Sequence, residues 1–336
     1  MLCSDYRLKK FTSAVLEIAK KSMPEYSSKF SRKDFTLHQH CAMLCLKVKT
    51  KQKFRESVDL LSEMTEICKL LGIEKLPHFT TLDKAFLRMR NSIFMILLYL
   101  SAGKAKDCSI DGTGFDRRYA SKHYVKRAKM TLHSLKVTLL VNVENLRIVD
   151  VHATTTRKHD TQIILPLTEG HDIDSLRADK GYDDGKVRDA LRNLGIRPLI
   201  PHREFKNIDK AQNARLDKYE YNKRNFSETV NSMTKRKYAD YVSSKNWRNQ
   251  FKEIRLMCFV HNIDRSLAII VEGFYGAICV NVSNFSRPVP VLIGFYVTFF
   301  FQLIHDGSER VIINASIFYV YSPEYVSHRV SYFCIV

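Results

Sequence analysis
Organised cysteine is what this sequence lacks first. Its eight cysteines, at positions 3, 41, 45, 68, 108, 258, 279 and 334, form no CxxC pair and follow no framework spacing. That excludes a disulfide-stapled scaffold and points to reduced thiols in a cytoplasmic protein. Acid is also scarce: 35 aspartates and glutamates stand against 54 lysines and arginines, for a formal net charge of +19 and a pI near 9.5. A chain this basic seeks polyanions, whether DNA, RNA or an anionic membrane surface. The opening MLCSDYRLKKF lacks the basic-then-apolar order of a signal peptide. No internal repeat is visible, and there is no P-loop, HExxH pair, GxSxG elbow or Rossmann fingerprint. Nucleotide-driven hydrolysis and covalent serine chemistry therefore have no support.

Charge is also missing locally. Residues 266–336 hold three basic and four acidic residues, whereas residues 1–265 hold 51 basic against 31 acidic. Within that tail, PVPVLIGFYVTFFFQLIH is uncharged and close to the length of a membrane span, but two prolines, a glutamine and its β-branched and aromatic content argue against one. A hydrophobic, β-prone extension is expected, without a membrane partner.

What is present divides into three regions, 1–103, 104–265 and 266–336. At 336 residues and 45% hydrophobic content the chain can bury a large core. Residues 5–100 read as helices. In SVDLLSEMTEICKLLG the residues Val58, Leu61, Met64, Cys68 and Leu71 recur at helical steps and stop at Gly72, a C-terminal cap. After Pro77 a second helix is expected, with Thr80 as N-cap and Asp83 completing a capping box. Two such helices fit either a helix-turn-helix reader of DNA or a plain bundle. HQHCAMLC, residues 38–45, offers His38, His40, Cys41 and Cys45 to a metal, although the cysteines sit in an apolar context that suits a core.

From residue 106 the texture becomes β-rich. CSID, LHSLKVTLLVNV and LRIVDVHAT read as strands, the last two joined as a hairpin through Glu144 and Asn145, and DSLRAD and IRPLI alternate with helices thereafter. The order predicts a mixed sheet with helices on its faces. Asp111 closes CSID before the Gly-rich turn DGTGF, and Asp179 closes DSLRAD before DKGYDDG. If those strands are neighbours, the two carboxylates sit side by side, where hard oxygen ligands select Mg²⁺ or Mn²⁺ and a pair of ions suits in-line displacement at a phosphodiester. The segment FDRRYASKHYVKRAK interleaves Arg117, Arg118, Lys122, Lys126, Arg127 and Lys129 with aromatic residues, a pattern for holding phosphates and stacking on bases, or simply a solvated loop. Asp116, Asp183 and Asp184 read as turn or helix-start residues, and His159 and Asp160 as the start of a helix.

YNKRNFSETVNSMTK, residues 221–235, poses the sharpest question. On one continuous helix, Tyr221, Arg224, Glu228 and Lys235 share an arc of about 60°. Phe226, Val230 and Met233 lie roughly opposite, as a stripe for packing on a sheet. A solvated amphipathic helix would also show this pattern. Glu228 is placed to complete a cluster with Asp111 and Asp179, and three acids from separate elements have little reason to converge without a cation.

The spacing reproduces, without a gap, the Y(2)R(3)E(6)K signature of DDE transposases of bacterial and archaeal insertion sequences. DGTGF and ADKGYDD resemble that family's first and second aspartate motifs, and the resemblance covers about residues 104–265 well and the helical N-terminal region more loosely. It implies a ribonuclease-H-like α/β core in which Asp111, Asp179 and Glu228 hold two Mg²⁺ or Mn²⁺ ions. It also implies that Tyr221, Arg224 and Lys235 contact double-stranded transposon-end DNA, with Arg117, Arg118, Lys126 and Arg127 as further DNA contacts. The helical region 1–103 would bind the DNA ends. The reaction implied is hydrolysis at terminal inverted repeats followed by attack of the freed 3′-hydroxyl on target DNA, within a homodimeric synaptic complex at the nucleoid. A non-catalytic DNA-binding relic and a ribonuclease-H-like nuclease without strand transfer are the alternatives. The segment 266–336 departs from the family in composition and reads as an aberrant extension from a shifted frame or read-through.

Overall fold
The computed structural model describes residues 2–119, 133–156, 158–283, 297–305, 311–319 and 329–335. Six helices come first: α1 (Leu2–Ser22), α2 (Leu37–Lys49), α3 (Phe54–Glu63), α4 (Thr65–Leu71), α5 (Phe79–Arg88) and α6 (Asn91–Ala102). The cap at Gly72 forms as expected, with the left-handed backbone (φ 64°) that glycine adopts without strain. The single helix expected before it is two, because Met64 leaves helical geometry at φ −95° and ψ 62°. Thr80 does not cap α5. His78 takes that position, and its ring Nδ1 lies 2.8 Å from the Thr80 hydroxyl, which is thereby occupied. Cys41 and Cys45 are core residues, and His38 bonds the Met23 carbonyl.

A five-stranded mixed sheet follows, built from β1 (Asp107–Phe115), β2 (Leu135–Asn142), β3 (Ile148–Thr154), β4 (Ser175–Arg177) and β5 (Arg197–Leu199) in the order β3-β2-β1-β4-β5. The first three strands pair antiparallel, and β1, β4 and β5 run parallel. DGTGF is not a turn. β2 pairs with β1 as far as Phe115, so the glycines remain in the ladder.

Alternation along the strands sends side chains into two cores. Cys108, Ile110 and Leu140 meet α7 (Thr161–Thr168) and α8 (Gly185–Asn193) through Ile163, Ile164, Leu167, Val187 and Leu191. Phe115, Val137, Leu139 and Val141 face the other way, onto Val230 of α11 (Asn225–Lys237) and Phe259 and Ile263 of α12 (Trp247–Ser283). That second core also contains Phe11, Leu44, Phe94 and Leu97 from the first six helices. The 103/104 boundary is therefore a change of secondary structure and not of packing: apolar residues of α1, α2 and α6 belong to the same core as one face of the sheet, and α6 packs on β3. Asn262 of α12 accepts from the Ile148 amide at 2.7 Å and donates to its carbonyl at 2.8 Å, serving the edge strand as a ladder partner.

Residues 1–275 form one compact unit and 276–336 another. The second contains β6 (Val297–His305), β7 (Val311–Tyr319) and β8 (Arg329–Ile335), an antiparallel sheet in that order. No single described helix is long and apolar enough to cross a membrane.

Candidate active site
Register brings the two aspartates together. Ser109 of β1 lies opposite Arg177 of β4, the last residue of that strand, and Asp111 and Asp179 each follow two residues later at the same end. Asp179 keeps an extended backbone and accepts the Lys180 amide at 2.6 Å, capping a short 3-10 turn, Lys180–Tyr182. Asp111 accepts from the Asn231 side chain at 2.9 Å. Burial raises its pKa above the usual carboxylate range; donors from Asn231 and the Gly112 amide oppose this, and the nearby charge of Glu228 adds to it. Both aspartates line one cavity of about 520 Å³, together with Gly112, Lys136, Asp160 and Tyr182.

Glu228 does not line that cavity. Its side chain, 52% exposed, pairs with Arg224 at 2.6 Å. Among the described residues no group of three His, Cys, Asp or Glu side chains is gathered to hold a metal ion. The donor chemistry does fit a hard divalent cation, since the carboxylates of Asp111, Asp160 and Asp179 line the cavity together with a buried hydroxyl, that of Tyr182, without a hydrogen bond. Asp111 and Asp179 are already at the cavity, and Glu228 is held on Arg224.

The continuous helix expected over 221–235 is broken. Tyr221 ends on α10 (Lys218–Asn222), which follows α9 (Asn207–Ala214), and α11 starts after Arg224. The Arg224, Phe226 and Ser227 amides bond three residues back, tightening the join. The join still keeps Tyr221 beside Arg224, whose guanidinium feels the charges of Glu228, Tyr221 and Asp179. The packing stripe is also different. Ser227, Val230, Asn231 and Thr234 are buried, while Phe226 is 39% exposed. Small residues serve because α11 lies directly on the sheet, with the Ser227 hydroxyl bonded to that of Ser109 at 2.8 Å.

The remaining expected contacts are spread out. Lys235 stands over the Phe115 ring at 5.4 Å. Arg117 donates to Gln250 at 2.9 Å, and Arg118 stacks on Tyr241 at 4.0 Å while pairing with Asp240. Neither lines the cavity. Lys126 and Arg127, with Lys122 and Lys129, lie outside the described residues. Asp184 caps α8, and Asp183 pairs with Arg188 at 2.6 Å, both structural.

Sequence reasoning missed Arg177, Asn231 and Tyr182, and assigned Asp160 only to a helix start. Arg177 is 1% exposed. It donates to the Glu220 carbonyl at 2.8 Å, and its guanidinium contacts the carboxylates of Glu220 and Asp107. With the Ser109 hydroxyl donating to the Arg224 carbonyl at 3.1 Å, it pins the 220–224 segment to the sheet. An arginine inside a buried strand was the available signal, because a charge is buried only where partners meet it.

Two acids on neighbouring parallel segments thus lie on one cavity, near a helix join that carries Tyr221 and Arg224. Residues 103–263 match the family model described as Transposase DDE domain. No curated protein matches the chain. Among solved structures, the chain is similar to one in the piggyBac transposase synaptic complex with hairpin DNA, at 9% identity and a TM-score of 0.37, covering 78% of this chain and 76% of that one. It is also similar to a chain of the simian T-cell lymphotropic virus intasome in complex with PP2A regulatory subunit B56 gamma, at 10% identity and a TM-score of 0.26, covering 80% and 93%.

Proposed function
We propose that the protein is an insertion-sequence transposase that cuts phosphodiesters at the ends of its element and joins the freed 3′-hydroxyls to target DNA. The observation that carries this reading is the register-matched placement of Asp111 and Asp179 on one cavity, within the residues that match the Transposase DDE domain model. The β3-β2-β1-β4-β5 order, three antiparallel strands continued by two parallel ones, supports a ribonuclease-H-like core.

Asp111, Asp179 and Glu228 are the residues that would hold Mg²⁺ or Mn²⁺. When bound, such ions activate the attacking oxygen and stabilise the leaving one. The protein's own part is positioning. Asn231 orients Asp111, Arg177 and Ser109 hold the 220–224 segment, and Arg224 is the cation beside Glu228 that a DNA phosphate can claim, releasing the carboxylate. Tyr221 stands next to Arg224, and Lys235 extends the same helix toward the DNA. The partner is double-stranded DNA, and pairing of two ends calls for a homodimer.

The test uses linear DNA carrying the terminal inverted repeats that flank the gene, with Mg²⁺ and a target plasmid. Wild-type protein is expected to release 3′-hydroxyl ends and give strand-transfer product. Asp111→Ala is expected to bind the ends and leave them uncut. Cutting that survives Asp111→Ala overturns the assignment, and wild-type binding without cutting would mark a DNA-binding protein that no longer acts as an enzyme.

A further inference from the structure
α7 begins after Asp160, yet the Asp160 side chain makes no capping bond to it. The carboxylate turns to the cavity instead. Its Oδ1 lies 3.9 Å from the point a Cβ on Gly112 would occupy, and its Oδ2 lies 4.0 Å from the corresponding point on Gly181. Those glycines follow Asp111 by one residue and Asp179 by two, so Asp160 sits over the seam between the two aspartate segments. It reaches that seam from the α7 face of the sheet, opposite the face that carries α11.

A second observation is independent of the acids. Tyr182 is 3% exposed, and its hydroxyl lies 3.9 Å from the same Gly112 position without a hydrogen bond. The fully buried Thr138 hydroxyl beside it, 3.8 Å from that position, also makes none. Burial raises the Tyr182 pKa, and the carboxylates of Asp160, Asp111 and Asp179 raise it further, in that order, while the adjacent Thr138 hydroxyl opposes the rise. A buried hydroxyl thus faces three acids. Buried polar atoms are ordinarily paired, and oxygens gathered this way call for a cation. The cation supplied here is Lys136, whose Nζ meets Asp160 at 2.5 Å and donates to the Lys158 carbonyl at 2.9 Å.

We propose that Asp160 is a further carboxylate of the divalent-cation site and that the Lys136 ammonium holds it in place of the ion. The inference rests on the reading of Asp111 and Asp179 as metal ligands. It also explains why no three acids are gathered among the described residues: Asp160 and Glu228 are each taken by a protein cation, Lys136 and Arg224.

The test is Mn²⁺ titration of the full chain without DNA, following free Mn²⁺ by electron paramagnetic resonance. Asp160→Asn is expected to weaken binding roughly tenfold or more, the scale of losing a group that supports a metal site. Lys136→Met removes a competing cation and is expected to tighten binding, and the gain should vanish in the Asp160→Asn/Lys136→Met double variant. Wild-type affinity in Asp160→Asn, or no tightening in Lys136→Met, overturns the proposal. If Asp111→Asn weakens binding while Asp160→Asn does not, this inference alone fails; if Asp111→Asn binds Mn²⁺ like wild type, the metal reading beneath it fails too. Melting curves without Mn²⁺ identify any variant that does not fold, and should Asp160→Asn be one, the Lys136→Met result decides.

Discussion

Asp111 is half-buried, accepts one side-chain hydrogen bond and feels the like charge of Glu228. A charge in that setting costs stability unless a cation offsets it. Asp111→Asn keeps an acceptor for Asn231 and removes the charge, so without divalent ions its melting temperature is expected to rise on the order of 2 °C at pH 7, as for about 1 kcal/mol in a unit of this size. Differential scanning calorimetry decides it, and a lower melting temperature would mean that the carboxylate is stabilising as it stands. The same electrostatics explain what could be read at this scale. Asp111 and Asp179 stand out in the sequence because each follows a short β-rich run and has a glycine one or two residues on. Asp160 does not, since nothing local distinguishes a cavity carboxylate from a helix-start aspartate until β2 delivers Lys136 to it.

At the scale of elements, the strands from 107 to 199 were legible because their apolar alternation is long and their turns are marked. The breaks were not. α3 parts from α4 at Met64, and α10 from α11 near Arg224, where neither proline nor glycine announces an interruption. In both places packing against neighbours overrides helical periodicity. α12 makes a testable element of another kind. His261 is fully buried and bonds the Leu146 carbonyl, tying the β2–β3 hairpin to the helix. Burial pushes its pKa down from 6.5 to about 4. The folded state therefore holds the neutral ring and the unfolded state takes up the proton first. This contribution is intact above about pH 6.5 and is lost progressively as the pH falls toward 4, at roughly 1.4 kcal/mol per unit and about 3 kcal/mol in all. His261→Gln, which retains an amide donor for Leu146, is expected to show a shallower fall in stability between pH 7 and pH 5 in urea titrations. An equal fall in both proteins would place the acid sensitivity elsewhere.

At the scale of the whole molecule, charge and packing divide the chain at nearly the same place. The excess of basic residues lies before residue 266, and the compact unit that contains the sheet ends at Tyr275. A chain of residues 1–275 is expected to melt within about 2 °C of the full chain. It should also bind end DNA with the same dependence on salt, since the slope counts phosphates neutralised, at about −0.9 in log K per log salt for each. A large drop in melting temperature on truncation would show that the second unit supports the first. The helical region could not be joined to the sheet from sequence, because a shared core is made of contacts hundreds of residues apart, Phe11 and Leu44 with Phe259 among its members.

By itself the sequence determined the chemistry available: a basic chain, two aspartates in glycine-containing motifs, and a tyrosine, arginine, glutamate and lysine at fixed intervals. These are local facts, set by which residues stand next to which. Only the tertiary structure decided how the groups meet. The parallel register of β1 and β4 places Asp111 and Asp179 on one cavity, buried Arg177 anchors the signature segment, and Arg224 and Lys136 neutralise Glu228 and Asp160. Coulomb interaction depends on distance through space, and that distance is created by strand order and helix packing, which no spacing along the chain records.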